Sequence, residues 1–132
     1  MRNKIESTLI VTDSEIMMVR GDAVELEVAL YDDSQGEQEH EMREGETLTL
    51  TVRRNPKGEN DSEPVFTASS TDKTIKIPAS ATENLPYGAY SADVEFNSPY
   101  LASPITIWPI RAPYQMARFG AMKNFVLGTE SN

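Results

Sequence analysis

Apolar and polar residues alternate with a period of two along much of the chain, most clearly over residues 85–96. There Tyr90, Val94 and Phe96 fall on one face, whereas Asp93 and its polar neighbours fall on the other. A period of two is the pattern of a half-buried β-strand. A turn containing proline and glycine precedes the alternation, so this segment is predicted to be a core strand behind a tight turn.

Other short apolar or alternating runs recur along the chain at a spacing of roughly ten residues. Polar, turn-rich stretches separate them, and no helix-like periodicity competes before residue 113. The pattern predicts an all-β protein, a sandwich or small barrel of about seven to eight short strands. The other predicted strands are residues 5–11 with 16–19 as one broken strand, 24–30, 48–52, 65–67, 74–77 and 105–110.

Residues 31–45 contain almost no apolar side chains and are dense in glutamate, aspartate and glutamine. Such a stretch cannot bury a core, so we expect a long solvated loop or a loosely paired hairpin, the most mobile part of the chain. Calcium is the cation that suits these oxygen ligands. The spacing of a dedicated calcium loop is missing, and we favour a solvated acidic loop. The side chains concerned are Asp32, Asp33, Ser34, Glu37, Glu39, Glu41, Glu44 and Glu46.

His40 is the only histidine, and the chain has no cysteine. A catalytic triad needs a histidine beside a nucleophile and an orienting acid, and a zinc site normally needs several histidine or cysteine ligands. One histidine among glutamates meets neither requirement. We therefore expect no enzymatic activity, no metal and no cofactor.

The chain is acidic, with 21 acidic against 12 basic residues and a formal net charge of −9. Fifteen of the acidic residues, against five basic ones, fall within residues 13–63. This charge repels phosphate backbones, so nucleic acid is not an expected partner. The N-terminal residues lack the apolar core of a secretion signal, and no run approaches the roughly 20 residues of a membrane span. We expect synthesis in the cytoplasm and no membrane partner.

The tripeptide Arg20-Gly21-Asp22 matches an integrin-binding motif but joins two predicted strands. We interpret it as a turn or bulge in which Gly21 adopts a backbone conformation that other residues avoid.

Several aromatic residues have two possible roles. Tyr90 shares the face of the predicted core strand and is a candidate tyrosine corner, in which the hydroxyl bonds to nearby backbone. Tyr87, Tyr100 and Trp108 could instead form stacking platforms for a sugar. The alternative function is therefore a carbohydrate- or surface-binding β-sandwich module.

The chain changes character after residue 112, where aromatic residues and methionines recur at a spacing of three. The spacing predicts a short helix, which Gly120 weakens by about 1 kcal/mol relative to alanine. We expect a sandwich over residues 1–112 and an aromatic extension over residues 113–132. The extension either covers an open end of its own core or docks onto another subunit, and we favour docking or oligomerisation. Removal of residues 114–132 is then expected to leave a folded domain. The candidate interface residues are Tyr114, Met116, Phe119, Met122, Phe125 and Leu127.

Three segments, in this order and spacing, carry a resemblance to a known family. They are Arg20-Gly21-Asp22-Ala23 followed by an alternating strand and the Asp32, Asp33, Gly36 turn; Glu44-Gly45-Glu46 before residues 48–52; and residues 85–94, LPYGAYSADV. Together they resemble small immunoglobulin-like proteins of phage and prophage tail modules in Gram-positive bacteria, related to the N-terminal domain of the phage baseplate upper protein. The similarity spans residues 16–112. The acidic stretch 38–46 and the extension after residue 112 depart from the pattern.

This resemblance implies an immunoglobulin-like antiparallel β-sandwich with a structural, non-catalytic role. It implies a tail or baseplate subunit that forms a homo-oligomer and contacts neighbouring tail proteins. Such a protein is made in the cytoplasm and is then incorporated into the virion.

Overall fold

The alternating pattern corresponds to nine β-strands and one helical turn in the computed structural model, which describes residues 9–11, 15–33, 35–54, 64–108 and 125–128. The strands are β1 (Ile10–Val11), β2 (Ile16–Val19), β3 (Val24–Glu27), β4 (Thr47–Arg53), β5 (Pro64–Ser70), β6 (Thr74–Ile77), β7 (Gly88–Asn97), β8 (Ile105–Trp108) and β9 (Phe125–Gly128), and the helical turn is α1 (Ala79–Thr82).

The described strands form two sheets, and the fold is an all-β sandwich as the sequence predicts. One sheet has seven strands in the order β1-β2-β9-β7-β4-β5, with β8 also paired to β7, and the other consists of β3 and β6. The pairs are antiparallel except for β2 with β9, which run parallel.

Alternation along the strands determines which side chains form the core. In β4, Leu48, Leu50 and Val52 are fully buried, while the threonines between them are only partly covered. Leu50 lies opposite Val94 of β7 and Ala68 of β5, so the three central strands present one continuous apolar face. The other buried apolar residues are Ile16, Met18, Leu26, Ile75, Ile77, Tyr90, Ala92, Phe96, Phe125 and Leu127. The predicted core positions Tyr90, Val94 and Phe96 are confirmed.

Several strands differ from the prediction. β1 and β2, predicted as one broken strand, are two strands that pair antiparallel. β3 and β5 differ in length. β3 ends at Glu27, although the amide of Val28 still donates to the carbonyl of Lys73 in the same register as the β3–β6 pairs. β5 extends to Ser70 although its second half is polar and small. All its residues except Val65 pair with β4, so backbone pairing extends it beyond the apolar run.

β8 and β9 lie along the same edge of β7. β4 occupies the other edge of β7, opposite Ser91 to Asn97, and the strand order places β9 on the side away from β4. β8 pairs with the part of β7 from Val94 to Phe96. Because β4 already pairs with the other edge of this part of β7, β8 lies on the same edge as β9. β9 pairs with the first residues of β7, from Gly88 to Tyr90. The chain therefore leaves this edge after Trp108 and returns to it at Phe125.

The domain boundary predicted at residue 112 is wrong, because β9 is an interior strand of the sandwich. It lies between β2 and β7, and its side chains Phe125 and Leu127 are 0% and 2% exposed. Residues 125–128 are also extended and not helical. The last strand pairs with the N-terminal part of β7, so its removal is now expected to unfold the protein. The rest of the predicted helix, residues 114–124, lies outside the described residues.

Candidate functional site

The acidic connection between β3 and β4 is a loosely paired hairpin, one of the two predicted forms. Tyr31 and Glu39 form an isolated antiparallel bridge. The amide of Asp32 donates to the carbonyl of Gln38 at 2.7 Å, and the amide of His40 donates to the carbonyl of Leu30 at 2.8 Å. Backbone hydrogen bonds thus bring His40 back towards the sandwich.

The tip of this hairpin is closed by an aspartate that caps the turn. The carboxylate of Asp33 accepts hydrogen bonds from the amides of Glu37 and Gln38, at 3.0 and 2.9 Å. Gly36 has a φ of 75°, a left-handed conformation that a glycine tolerates. The expectation that this stretch is the most mobile part of the chain stays a prediction.

His40 is buried between two carboxylates, with only 8% of its surface exposed. Its Nδ1 lies 2.7 Å from Oδ1 of Asp32 and its Nε2 lies 2.9 Å from Oε1 of Glu46. The edge of the imidazole packs against Phe96 of β7, with ring centres 5.4 Å apart. A ring that faces an acceptor on each nitrogen is best satisfied as an imidazolium, which donates from both.

Glu46 is the centre of the cluster and is 1% exposed. Besides His40, its carboxylate accepts hydrogen bonds from the amide of Arg43 at 2.8 Å, from Nη2 of Arg43 at 2.9 Å and from Oγ of Ser98 at 2.8 Å. A buried carboxylate is stable when its lone pairs are satisfied in this way. Glu46 therefore joins the end of the acidic hairpin to the residue that follows β7.

The titration of these two groups reflects their surroundings. Burial alone raises the pKa of Glu46, but hydrogen bonds from the Arg43 amide, His40, Ser98 and the Arg43 side chain outweigh it and lower the pKa to about 2. The hydrogen bond to Glu46 raises the pKa of His40 above its usual value; burial opposes this rise, and Asp32 adds to it. Both shifts favour the ionised forms of the two groups.

Lys73 lies in the turn between β5 and β6 and binds the acidic hairpin through its ammonium group. Its Nζ donates to the carbonyl of His40 at 2.7 Å and to Oε2 of Glu39 at 3.0 Å. The charged groups around His40 are therefore Asp32, Glu46, Arg43, Lys73 and Glu39.

The cluster holds structure together but is not arranged for catalysis. Both nitrogens of His40 face carboxylates, so neither is directed at a nucleophile. The hydroxyl of Ser98 bonds to Glu46 and not to the imidazole, which is not the order of a serine triad. Within the part of the chain that the structure describes, no three histidine, cysteine or acidic side chains are grouped as a metal would require. Ser34 lies outside the described residues.

Arg20-Gly21-Asp22 forms a turn, as the sequence predicts, and Gly21 has a φ of 87°. The guanidinium of Arg20 stacks on the ring of Tyr87, 3.8 Å from its centre, and donates to the carbonyl of Leu85. The amide of Gly21 donates to Oγ1 of the buried Thr82 at 2.8 Å. The motif fixes the turn between β2 and β3 against the start of β7.

The candidate tyrosine corner is present. The side chain of Tyr90 is buried, and its hydroxyl donates to the carbonyl of Pro86 at 2.5 Å.

The three candidate stacking aromatics do not form one platform. Tyr87 and Tyr100 are both exposed, but they lie at opposite ends of β7, whose ten residues span about 30 Å. Tyr100 stacks against Arg43 at 4.1 Å, and Trp108 is partly buried against the core.

The predicted interface residues are not brought together on an exposed surface. Phe125 and Leu127 are core residues of β9, so their assignment to a docking surface is wrong. They alternate with partly covered residues, and a strand pattern in FVLG was the signal for this role. The remaining candidates, Tyr114, Met116, Phe119 and Met122, lie outside the described residues.

An exposed apolar surface that sequence reasoning missed surrounds the start of β8. Tyr100, Leu101 and Ile105 are large apolar side chains with 60%, 40% and 47% of their surface exposed, and we call them the β8 patch. Pro99 precedes it and Pro104 lies between Leu101 and Ile105, and these prolines were the available sign of an exposed connection.

The described residues contain no helix that is both long enough and apolar enough to cross a membrane. No protein-family model matches this chain, and no curated protein or solved structure shows significant similarity to it.

Proposed function

We propose that this protein is a non-catalytic structural subunit of a phage or prophage tail or baseplate. It acts through self-association and through contacts with neighbouring tail proteins. It is made in the cytoplasm and becomes part of the virion.

Exposed apolar side chains beside an edge strand are the observation that carries this proposal. Among the described strands, β8 pairs only with β7, and the β8 patch lies at the start of this edge. Apolar side chains concentrated at one place on the surface are typical of protein–protein interfaces. The strongly ionic cluster around Glu46, by contrast, is satisfied internally.

The finer assignment, an immunoglobulin-like sandwich, is part of the proposal. It is supported by the pairing of β3 with β6 in one sheet and of β4 with β7 in the other, which corresponds to the B–E and C–F pairs of that fold. The hydrogen bond from Tyr90 to the carbonyl of Pro86 is placed as in the tyrosine corner of such domains.

Two measurements test the proposed function. Light scattering at micromolar concentration should give a mass above that of one chain, and a clean monomer would contradict self-association. Mass spectrometry of particles induced from a lysogen that carries the gene should find the protein enriched with tail components. Its absence from purified particles would exclude a virion role.

The alternative, a carbohydrate- or surface-binding module, relies on aromatic platforms. Because Tyr87 and Tyr100 lie at opposite ends of β7, they cannot stack on one short glycan together. Binding on a glycan array that is lost in Tyr100→Ala would revive this alternative.

A further inference from the structure

β5 is an edge strand without charged side chains. Its sequence, PVFTASS, spans Pro64–Ser70, and among the described strands its one neighbour in the sheet is β4. Edge strands of monomeric proteins are usually protected by charges, prolines or bulges, because their outer N–H and C=O groups can pair with another chain. In β5 such protection is limited to Pro64 and to Val65, which the register shift leaves without a partner in β4. Five further residues, 66–70, are left without it.

Charge favours a second copy of this chain as the partner that pairs with the edge of β5. The chain has a formal net charge of −9, so most pairs of surfaces from two copies repel each other. β3 carries Glu25 and Glu27, and the outer face of β7 carries Asp93 and Glu95. Two copies that meet along β5 bring no like charges together within the strand. β8 is also uncharged but has only four residues against seven in β5.

We propose that two copies of this chain pair through β5, antiparallel, about a two-fold axis at Thr67. This inference rests on the self-association in the proposed function and assigns it to β5, which leaves the β8 patch for the contacts with neighbouring tail proteins. In this register Thr67 faces Thr67 of the second copy and Phe66 faces Ala68. The two large sheets then form one continuous sheet.

The side chains of β5 complement one another in this arrangement. Phe66 lies on the core face, opposite Val52, and its partly buried ring meets the ring of Phe125 edge-on at 5.9 Å. The small Ala68 of the second copy leaves room for this ring. On the outer face, exposed Thr67 meets itself, and cross-strand threonine pairs are favourable in antiparallel sheets.

Cysteine cross-linking tests the axis directly, because the chain has no cysteine of its own. Residues directly opposite in an antiparallel pair have Cβ atoms about 5 Å apart, close to disulfide distance. Thr67→Cys should therefore give mostly covalent dimer under mild oxidation. Thr106→Cys is the matched control, because Thr106 is an exposed threonine on β8, at another edge of the same sheet. Equal cross-linking of both variants, or none at Thr67→Cys, would overturn the proposal.

A charge pair tests the register. Thr67→Lys places like charges opposite each other at the axis and should weaken the dimer about fivefold. An equimolar mixture of Thr67→Lys and Thr67→Glu places opposite charges there and should keep the wild-type dissociation constant. Circular dichroism should show the same folded spectrum for both. Equal weakening of the two would refute the register.

The outcomes separate this inference from the proposed function. If the wild-type protein is an oligomer but Thr67→Cys does not cross-link, self-association stands and the β5 surface is refuted. If the wild-type protein stays monomeric, both are refuted. Open-ended growth into fibres would show head-to-tail pairing of β5 with another edge and would overturn the two-fold axis.

Discussion

The two ends of β7 are held in different ways. At its start, Tyr90 bonds to the carbonyl of Pro86 and packs in register with Phe125 of β9, so that uncharged groups carry most of the contact. Past its end, Ser98 bonds to Glu46, whose carboxylate is shared with His40 and Arg43. One end depends on packing and neutral hydrogen bonds, and the other on buried ions. The stability that the first end contributes should not depend on pH, whereas the stability that the second end contributes should.

The largest effect is expected for Phe125→Ala at the uncharged end. Phe125 is fully buried, so removing its ring should lower the free energy of unfolding by about 3–5 kcal/mol. Urea denaturation followed by circular dichroism measures this loss. Tyr100→Ala at the ionic end, where the ring is exposed, should cost less than about 1 kcal/mol. A folded, stable protein after deletion of residues 114–132 would contradict the interior position of β9.

The next effect concerns the ionic end and depends on pH. The pKa of Glu46 is lowered from 4.5 to about 2, so its stabilisation is present above pH 4.5 and is lost as the pH falls towards 2. The pKa of His40 is raised above 6.5, so its stabilisation is complete below pH 6.5 and is lost as the pH rises through the folded value. Together the two contribute most between pH 4.5 and 6.5.

Two variants separate the acidic limb of the stability–pH profile, below pH 4.5, from the alkaline limb, above pH 6.5. In urea denaturation at a series of pH values, His40→Gln should flatten the alkaline limb and Glu46→Gln the acidic limb. Some acid dependence should survive in Glu46→Gln, because hydrogen bonds from Ser70 and Thr74 lower the pKa of Asp72 as well. An unchanged alkaline limb in His40→Gln would refute the role of the imidazolium.

A smaller effect is expected for Tyr90→Phe. This variant removes the hydroxyl that donates to the carbonyl of Pro86 and should cost about 1 kcal/mol. The loss should be the same from pH 5 to pH 8, because the bond joins a hydroxyl to a backbone carbonyl and involves no ion pair. The control is Tyr87→Phe, whose exposed hydroxyl accepts from Arg20 and should contribute less. A loss that varies with pH would show that the two ends of β7 are coupled.

The smallest effect is expected from calcium. The carboxylates of Glu46 and Asp33 already accept hydrogen bonds from N–H groups of the protein. Millimolar calcium should leave the melting temperature unchanged, since only a ligand that binds the folded state raises it. A rise of several degrees that is lost in Glu46→Gln would show that the cluster binds the cation after all.

The local sequence pattern was sufficient to predict the strands whose apolar and polar side chains alternate strictly. β4 and β7 were predicted because each has a clear period of two, and the Tyr90 corner was predicted because parity placed it on the apolar face. β9 was missed because the spacing of Met116, Phe119, Met122 and Phe125 also fits a helix. Four residues such as FVLG do not distinguish the two periods until their neighbours in the sheet are known.

The candidate site was the least predictable part, because its members are far apart in the sequence. His40 and Glu46 lie in a hydrophilic stretch that carries no apolar signal, whereas Ser98 comes fifty-two residues after Glu46. Nothing in the local pattern indicates that Phe96 packs on the imidazole or that Lys73 donates to its backbone. The sequence of the acidic stretch therefore predicts a solvated loop, although two of its side chains, His40 and Glu46, are buried.

The sequence by itself determined the fold class, the faces of the central strands and the turn at Gly21, since these depend on the period of side chains and on the conformations a residue tolerates. Only the tertiary structure decided that residues 125–128 enter the sheet between β2 and β7, and that His40 and Glu46 are buried as a hydrogen-bonded pair. Both depend on partners distant in the chain. A strand needs neighbouring strands for its hydrogen bonds, and a charge can be buried only where donors and counter-charges surround it.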